Sequence, residues 1–119
     1  MKNAPAYDVA VVGAGPAGSH TAEALAASGH RVVLLERDPE PGLPVHCTGI
    51  VSTECFERYH LPTSLILRSV SSFVLRSPSG RGALVKRNAT QAHVLDRIAL
   101  DQLLADRAVS AGVELMKAF

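Results

Sequence analysis

The chain has 119 residues, the size of one ordinary domain, so several independent cores are excluded and one is expected. Its hydrophobic share is 47%, with 4% aromatic residues and no Trp, so Val, Leu, Ala and Ile must fill the interior, as in an α/β composition. A net charge of +1 gives no electrostatic case for nucleic acid or an anionic membrane as a general partner.

Tyr7 to Val12 reads as a buried strand, short and β-branched, stopped abruptly by Gly13. A helix is expected next: Pro16 suits a first helical position, where no backbone N–H is needed, and alanine-rich Ala17 to Ser28 runs on until Gly29. Arg31 to Glu36 carries Val32, Val33, Leu34 and Leu35, a continuous apolar run typical of a strand covered on both faces. These three pieces make a βαβ unit, whose right-handed crossover places the two strands parallel and adjacent. Asp38 to Pro44, with Pro39, Pro41, Gly42 and Pro44, is an extended loop. Ser52 is placed to cap a short helix through Arg58.

From Arg68 to Arg87 two strand-like runs flank Ser77-Pro78-Ser79-Gly80, whose Pro and Gly positions suit a type I turn, so a β-hairpin is expected. Asp96 is placed to cap a helix over Arg97 to Ala111, with Leu100, Leu103, Leu104, Ala108 and Ala111 forming one apolar stripe. Gly112 ends it, and Val113 to Met116 begins another strand, for whose outer edge no further element is at hand. There is no internal repeat.

Gly13, Gly15 and Gly18 form G-x-G-x-x-G between the first strand and the first helix. In such a turn the first glycine permits the tight bend, the second admits a pyrophosphate without a Cβ in the way, and the third lets the helix pack closely. The phosphates would sit on the unpaired N–H groups at the helix start. Glu36, at the end of the second strand and 21 residues beyond Gly15, stands where an acid binds the adenosine ribose hydroxyls. An acid there disfavours a 2′-phosphate, which points to FAD or NAD over NADP.

Lys2 is the only early cation and Val9 to Val12 is too short for a signal-peptide core. No apolar stretch reaches the roughly 18 residues of a membrane helix. A cytoplasmic protein is therefore expected, with Cys47 and Cys55 reduced; their spacing of eight matches neither a redox CxxC pair nor a zinc knuckle. The five histidines (20, 30, 46, 60 and 93) are scattered and indicate no metal site.

The stretch from Tyr7 to Ser52, with its GAGPAG turn, Glu36, and then Gly42-x-Pro44-x-x-Cys47-x-Gly49, resembles the start of the geranylgeranyl reductase family of FAD-dependent oxidoreductases. "SPSG" at Ser77 to Gly80 and Arg97-x-x-x-Asp101-x-x-Leu104 also fit that family's pattern. The resemblance implies a Rossmann-like βαβ FAD-binding domain with a parallel sheet and an inserted β-hairpin. It implies FAD held by Gly13, Gly15, Gly18 and Glu36, with Ala17, Arg37, His46 and Arg97 as further cofactor-binding positions; many related flavoproteins carry Arg where His46 stands. The implied reaction is reduction of isoprenoid carbon-carbon double bonds in a prenyl-lipid substrate, with NAD(P)H or ferredoxin as external electron donor. Peripheral membrane contact stays open for a complete protein. Such enzymes are longer, so residues 1–119 are expected to be an N-terminal, truncated part of an FAD-binding domain, inactive alone, without the later Gly-Asp segment and the substrate region.

Three side-chain groups carry two readings each. A cysteine such as Cys47 is most often a small buried side chain, whereas the resemblance implies a catalytic residue near the flavin. Arg97 and Asp101, four apart, read as an ordinary exposed ion pair or, by the family pattern, as an Arg97 facing the cofactor. The cations Arg58, Arg68, Arg76, Arg81, Lys86 and Arg87, with no acid among them, serve a solvated hairpin face or a phosphorylated substrate. Two further function classes stand beside the reductase: a flavin monooxygenase hydroxylating aromatic compounds, and a truncated nucleotide-binding module without activity.

Overall fold

The computed structural model describes residues 6–119; Lys2, the early cation, lies outside them. In chain order the elements are β1 (Val9–Val12), α1 (Pro16–Ala27), β2 (Val32–Leu35), β3 (Ile50–Ser52), α2 (Thr53–Arg58), a 3-10 turn (Thr63–Leu65), β4 (Ile66–Val70), β5 (Ser72–Arg76), β6 (Gly82–Lys86), β7 (Ala92–Leu95), α3 (Arg97–Ser110) and β8 (Glu114–Met116). They form two compact units, one from the residues up to His46 with Arg97–Phe119, the other from Cys47–Asp96.

The first unit is a parallel sheet in the order β1-β2-β8. Its register sets Val9 beside Val32, Val11 beside Leu34 and Leu34 beside Leu115. With side chains alternating across a strand, these residues share one face. They pack with Val113, with Ala22, Leu25 and Ala26 of α1, and with Ala108 of α3. Alanine is what makes this compact: Ala22 and Ala108 are fully buried, and a helix presenting methyl groups can lie close to its neighbours. β2 is buried along Val32, Val33 and Leu34, as expected for a central parallel strand. In α3 the buried face is Leu100, Asp101, Leu104, Ala105 and Ala108. It differs from the expected stripe in including a carboxylate, while Leu103 and Ala111 are only partly covered.

The second unit centres on β7, which pairs antiparallel with β3 and β4. Phe56, Leu65 and Leu95 are its buried apolar side chains. Ser52 caps α2 through its Oγ, which accepts from the Cys55 N–H at 3.1 Å. The hairpin is β5 with β6, and its turn closes by the Gly80 N–H donating to the Ser77 carbonyl at 3.0 Å. Its boundaries are narrower than the sequence indicated: Arg68–Val70 belong to β4 and face β7, and the chain breaks at Ser71 before the hairpin starts. Arg76, Arg81, Lys86 and Arg87 all lie on exposed backbone.

Candidate functional site

The site grows from the ends of β1 and β2. The Gly13 N–H donates to the Leu35 carbonyl at 2.7 Å, which carries the β1-β2 ladder one step past the strands before the chain turns. That turn needs φ +97° at Gly13, a left-handed value natural to glycine. A Cβ at Gly13 or at Gly15 would have no atom within 4 Å, so both glycines border open space. At Gly18 the opposite holds: a Cβ would overlap the Gly13 carbonyl oxygen and lie 3.5 Å from Val11 Cγ1. Two glycines therefore keep a surface bare and the third lets α1 close against the turn.

Helix α1 starts at Pro16 behind Gly15, whose position has no side-chain cap, and no acid occupies the first turn. The first N–H groups of any helix lack intrahelical acceptors, and Pro16 has none to offer. The donors that remain, Ala17 among them on an exposed position, sit at the positive end of the helix dipole, where an anion is favoured by roughly 0.3–1 kcal/mol. Ala14, fully buried between the first two glycines, is held from below by Ser19, whose Oγ donates to the Ala14 carbonyl at 3.1 Å.

Glu36 joins this turn directly. Its Oε2 accepts from the Ala14 N–H at 2.8 Å and its Oε1 from the Asp38 N–H at 2.9 Å. Two main-chain donors thus fix the carboxylate beside the glycine turn. A carboxylate has about four acceptor positions, so this one retains capacity for two hydroxyls of a ribose. Ala14 is the participant that sequence reasoning missed; its only signal was a small residue between two glycines.

The other expected positions divide. Arg37 points outward, 80% exposed, with Asp38 at 3.4 Å; His46 is exposed too. Arg97 is not part of an exposed pair, which corrects one of its two readings: its Nε and Nη2 each donate at 3.0 Å to Asp101, whose side chain is 7% exposed. Gly42, with φ +85°, lies against the same helix start, where a Cβ would come within 3.0 Å of Ile98 Cα and 3.1 Å of the Arg97 carbonyl oxygen. Cys47 belongs to the second unit and is exposed, not a buried core side chain; its Sγ accepts from the Gly49 N–H at 3.4 Å. Cys55 is partly buried. At the opposite end of the strands, Arg31 grips the Asp8 carboxyl with its side chain and its own N–H, holding that group down at about 2.

A strand ending in a bare glycine turn, a helix start open to anions and an acid tied to both describe a dinucleotide-binding βαβ unit. The FAD dependent oxidoreductase family matches residues 8–88, and the chain belongs to that family. Its relatives include reductases. The chain is 38% identical over 110 residues to the digeranylgeranylglycerophospholipid reductase of Methanocaldococcus jannaschii, covering 92% of this chain and 28% of that protein. A geranylgeranyl bacteriochlorophyll reductase-like protein of Thermoplasma acidophilum superposes with a TM-score of 0.82 at 30% identity, over 94% of this chain and 30% of that one. Aklavinone-11 hydroxylase, at 24% identity and a TM-score of 0.65 over 98% of this chain and 26% of its own, shares the fold. The chain thus spans less than a third of the length of the reductase relatives it matches. Within the FAD dependent oxidoreductase family, the chain resembles the geranylgeranyl reductases. Among the described residues, no helix is long and apolar enough to cross a membrane.

Proposed function

We propose that the protein to which this chain belongs reduces isoprenoid carbon-carbon double bonds of a prenyl lipid, and that residues 1–119 are the N-terminal part of its FAD-binding domain. The observation that carries the substrate class is the 38% identity to a digeranylgeranylglycerophospholipid reductase, which extends over both the glycine turn and the Cys47 loop. The fixed Glu36 carboxylate supports the cofactor assignment, since its remaining acceptor positions suit ribose hydroxyls. Gly15 leaves the backbone bare for the pyrophosphate, Gly13 and Gly18 shape the turn around it, and Ala17 offers an N–H. Arg97 adds a cation, with Arg37 and His46 as outer contacts.

Held at the glycine turn and Glu36, reduced FAD would supply hydride chemistry for one carbon of the double bond. The other carbon needs a proton, and in this reading Cys47 donates it from Sγ and regains one from water. A thiol suits the task because its S–H can act as a general acid toward the carbon that needs the proton. NAD(P)H or ferredoxin restores the electrons. The reading places the protein in the cytoplasm, with the lipid reached at a membrane surface.

The test is Cys47→Ala and Cys47→Ser in the full-length protein, with flavin content and hydrogenated product measured separately. Loss of product with flavin retained is expected. Unchanged turnover in Cys47→Ala removes the proton-donor role, and a hydroxylated product in place of a hydrogenated one removes the reductase reading.

A further inference from the structure

Arg97 and Asp101 form an ion pair withdrawn from water at both ends. Their side chains are 19% and 7% exposed, whereas in His20–Glu23, Arg31–Asp8, Arg37–Asp38 and Lys117–Glu40 each partner is at least 29% exposed. Burying a carboxylate on the packed face of a helix, between Leu100 and Leu104, is costly unless its partner is held well, and an apolar pair there would often be as stable. The cost is met by a fork: Nε to Oδ1 and Nη2 to Oδ2, both 3.0 Å. Such a bidentate clasp fixes the plane of the guanidinium, which a single contact would leave free to swing.

The clasp also sits at a defined place. The loop that leaves Glu36 is pinned at its start by the Asp38 N–H on Glu36 Oε1, buries Pro41, and at Gly42 meets Arg97, Ile98 and Asp101 at 3.0–3.1 Å from where a Cβ would stand. Six residues therefore connect the acid of the glycine turn to the start of α3, and glycine at position 42 lets that loop close on the helix.

We infer that Asp101 is a positioning residue for cofactor binding: it holds the Arg97 guanidinium in one orientation, where the loop from Glu36 closes on α3, to meet an anionic group of FAD. The inference rests on the FAD reading above and goes further in assigning Asp101 a role that acts only through Arg97.

The test is a double-mutant cycle on FAD affinity in the full-length protein, using Arg97→Met, Asp101→Asn and the two combined, with Kd read from flavin fluorescence and the melting of each apoprotein recorded alongside. Each single variant is expected to weaken FAD binding by about tenfold to a hundredfold, the range of a hydrogen bond to a charged group. The combined variant is expected to bind FAD as Arg97→Met does, because Asp101 has nothing left to orient. If Asp101→Asn weakens binding by the same factor with Met at position 97, it acts on the fold and the inference is overturned. Wild-type affinity in Arg97→Met overturns it as well while leaving the FAD reading intact, and a wild-type protein that does not take up FAD overturns both. Should Asp101→Asn fail to fold, Asp101→Glu, which keeps the charge and displaces it by one methylene, carries the same cycle with the same outcomes.

Discussion

Gly15 and Gly18 are three residues apart in one motif, yet the structure assigns them different physical work, and alanine at each position separates the two. At Gly18 a Cβ would overlap the Gly13 carbonyl oxygen and stand 3.1 Å from the Gly13 carbonyl carbon. Both are backbone atoms of a turn that is itself hydrogen-bonded to Leu35, so no side chain can rotate aside to relieve the clash. Helix α1 or the turn must move, and forcing a methyl group into a filled site costs about 1–3 kcal/mol. At Gly15 the same methyl group meets nothing within 4 Å, and φ is an ordinary negative value of −73°. The folded state loses little there, and a stiffer unfolded chain offsets roughly 0.4–1 kcal/mol. In the proposed reading, what Gly15→Ala obstructs is the approach of a pyrophosphate. We therefore expect Gly18→Ala to lower the stability of the apoprotein by about 1–3 kcal/mol. Gly15→Ala should leave stability within about 0.5 kcal/mol while weakening FAD at least about a hundredfold, or about 2.7 kcal/mol. Urea unfolding of the apoproteins and flavin fluorescence titration, both on the full-length protein, measure the two quantities separately. Gly15→Ala with wild-type FAD affinity refutes the bare-backbone argument, and Gly18→Ala with wild-type stability refutes the packing argument.

Three other outcomes follow from particular contacts. Glu36→Gln replaces an acceptor oxygen with an NH2 group facing the N–H of either Ala14 or Asp38; a stability loss of about 1–3 kcal/mol with reduced FAD affinity is expected by the same two assays, and unchanged values in both contradict the role given to this carboxylate. Asp8 is held at about 2 against an ordinary 3.8 by hydrogen bonds from Arg31. Its folded pKa is depressed, so its contribution is present above about 3.8 and lost as pH falls through about 2. Urea midpoints of wild type and Asp8→Asn should differ at neutral pH and converge at the acid end; because the pair is exposed, the gap should be small and should shrink with salt. Ser52→Ala removes the cap on α2 and should cost about 0.5–2 kcal/mol, without altering FAD affinity.

The sequence made the nucleotide turn legible because every part of it is a short-range signal. Val9–Val12 is a strand by type, Gly13 breaks it, Pro16 starts the helix, and Val32–Leu35 can only be a covered strand; the parallel pairing follows from their connection. The cap at Ser52 and the turn at Ser77–Gly80 were legible for the same reason. What escaped was set by distant partners. Ala92–Leu95 is the middle strand of the second unit because Ile50–Ser52 and Ile66–Val70 flank it, and nothing within four residues announces that role. The split between β4 and β5 at Ser71 is likewise a matter of which strand each faces. Asp101 reads as a surface acid on any helical wheel that counts only its charge, and its burial becomes visible once Gly42 is seen against Arg97 and Ile98. Cys47 could not be placed by residue type at all, since free cysteines favour interiors and this one is exposed.

The most direct test of the proposed reaction is anaerobic: reduce the flavin of the full-length protein, mix it with a geranylgeranylated glycerophospholipid in the absence of dioxygen, and follow flavin absorbance together with the mass of the lipid. A carbon-carbon double-bond reductase reoxidises its flavin under these conditions as the lipid gains hydrogen. Flavin that stays reduced until dioxygen is admitted, with oxygen then appearing in the product, would contradict the account and make the protein a hydroxylase built on the same fold.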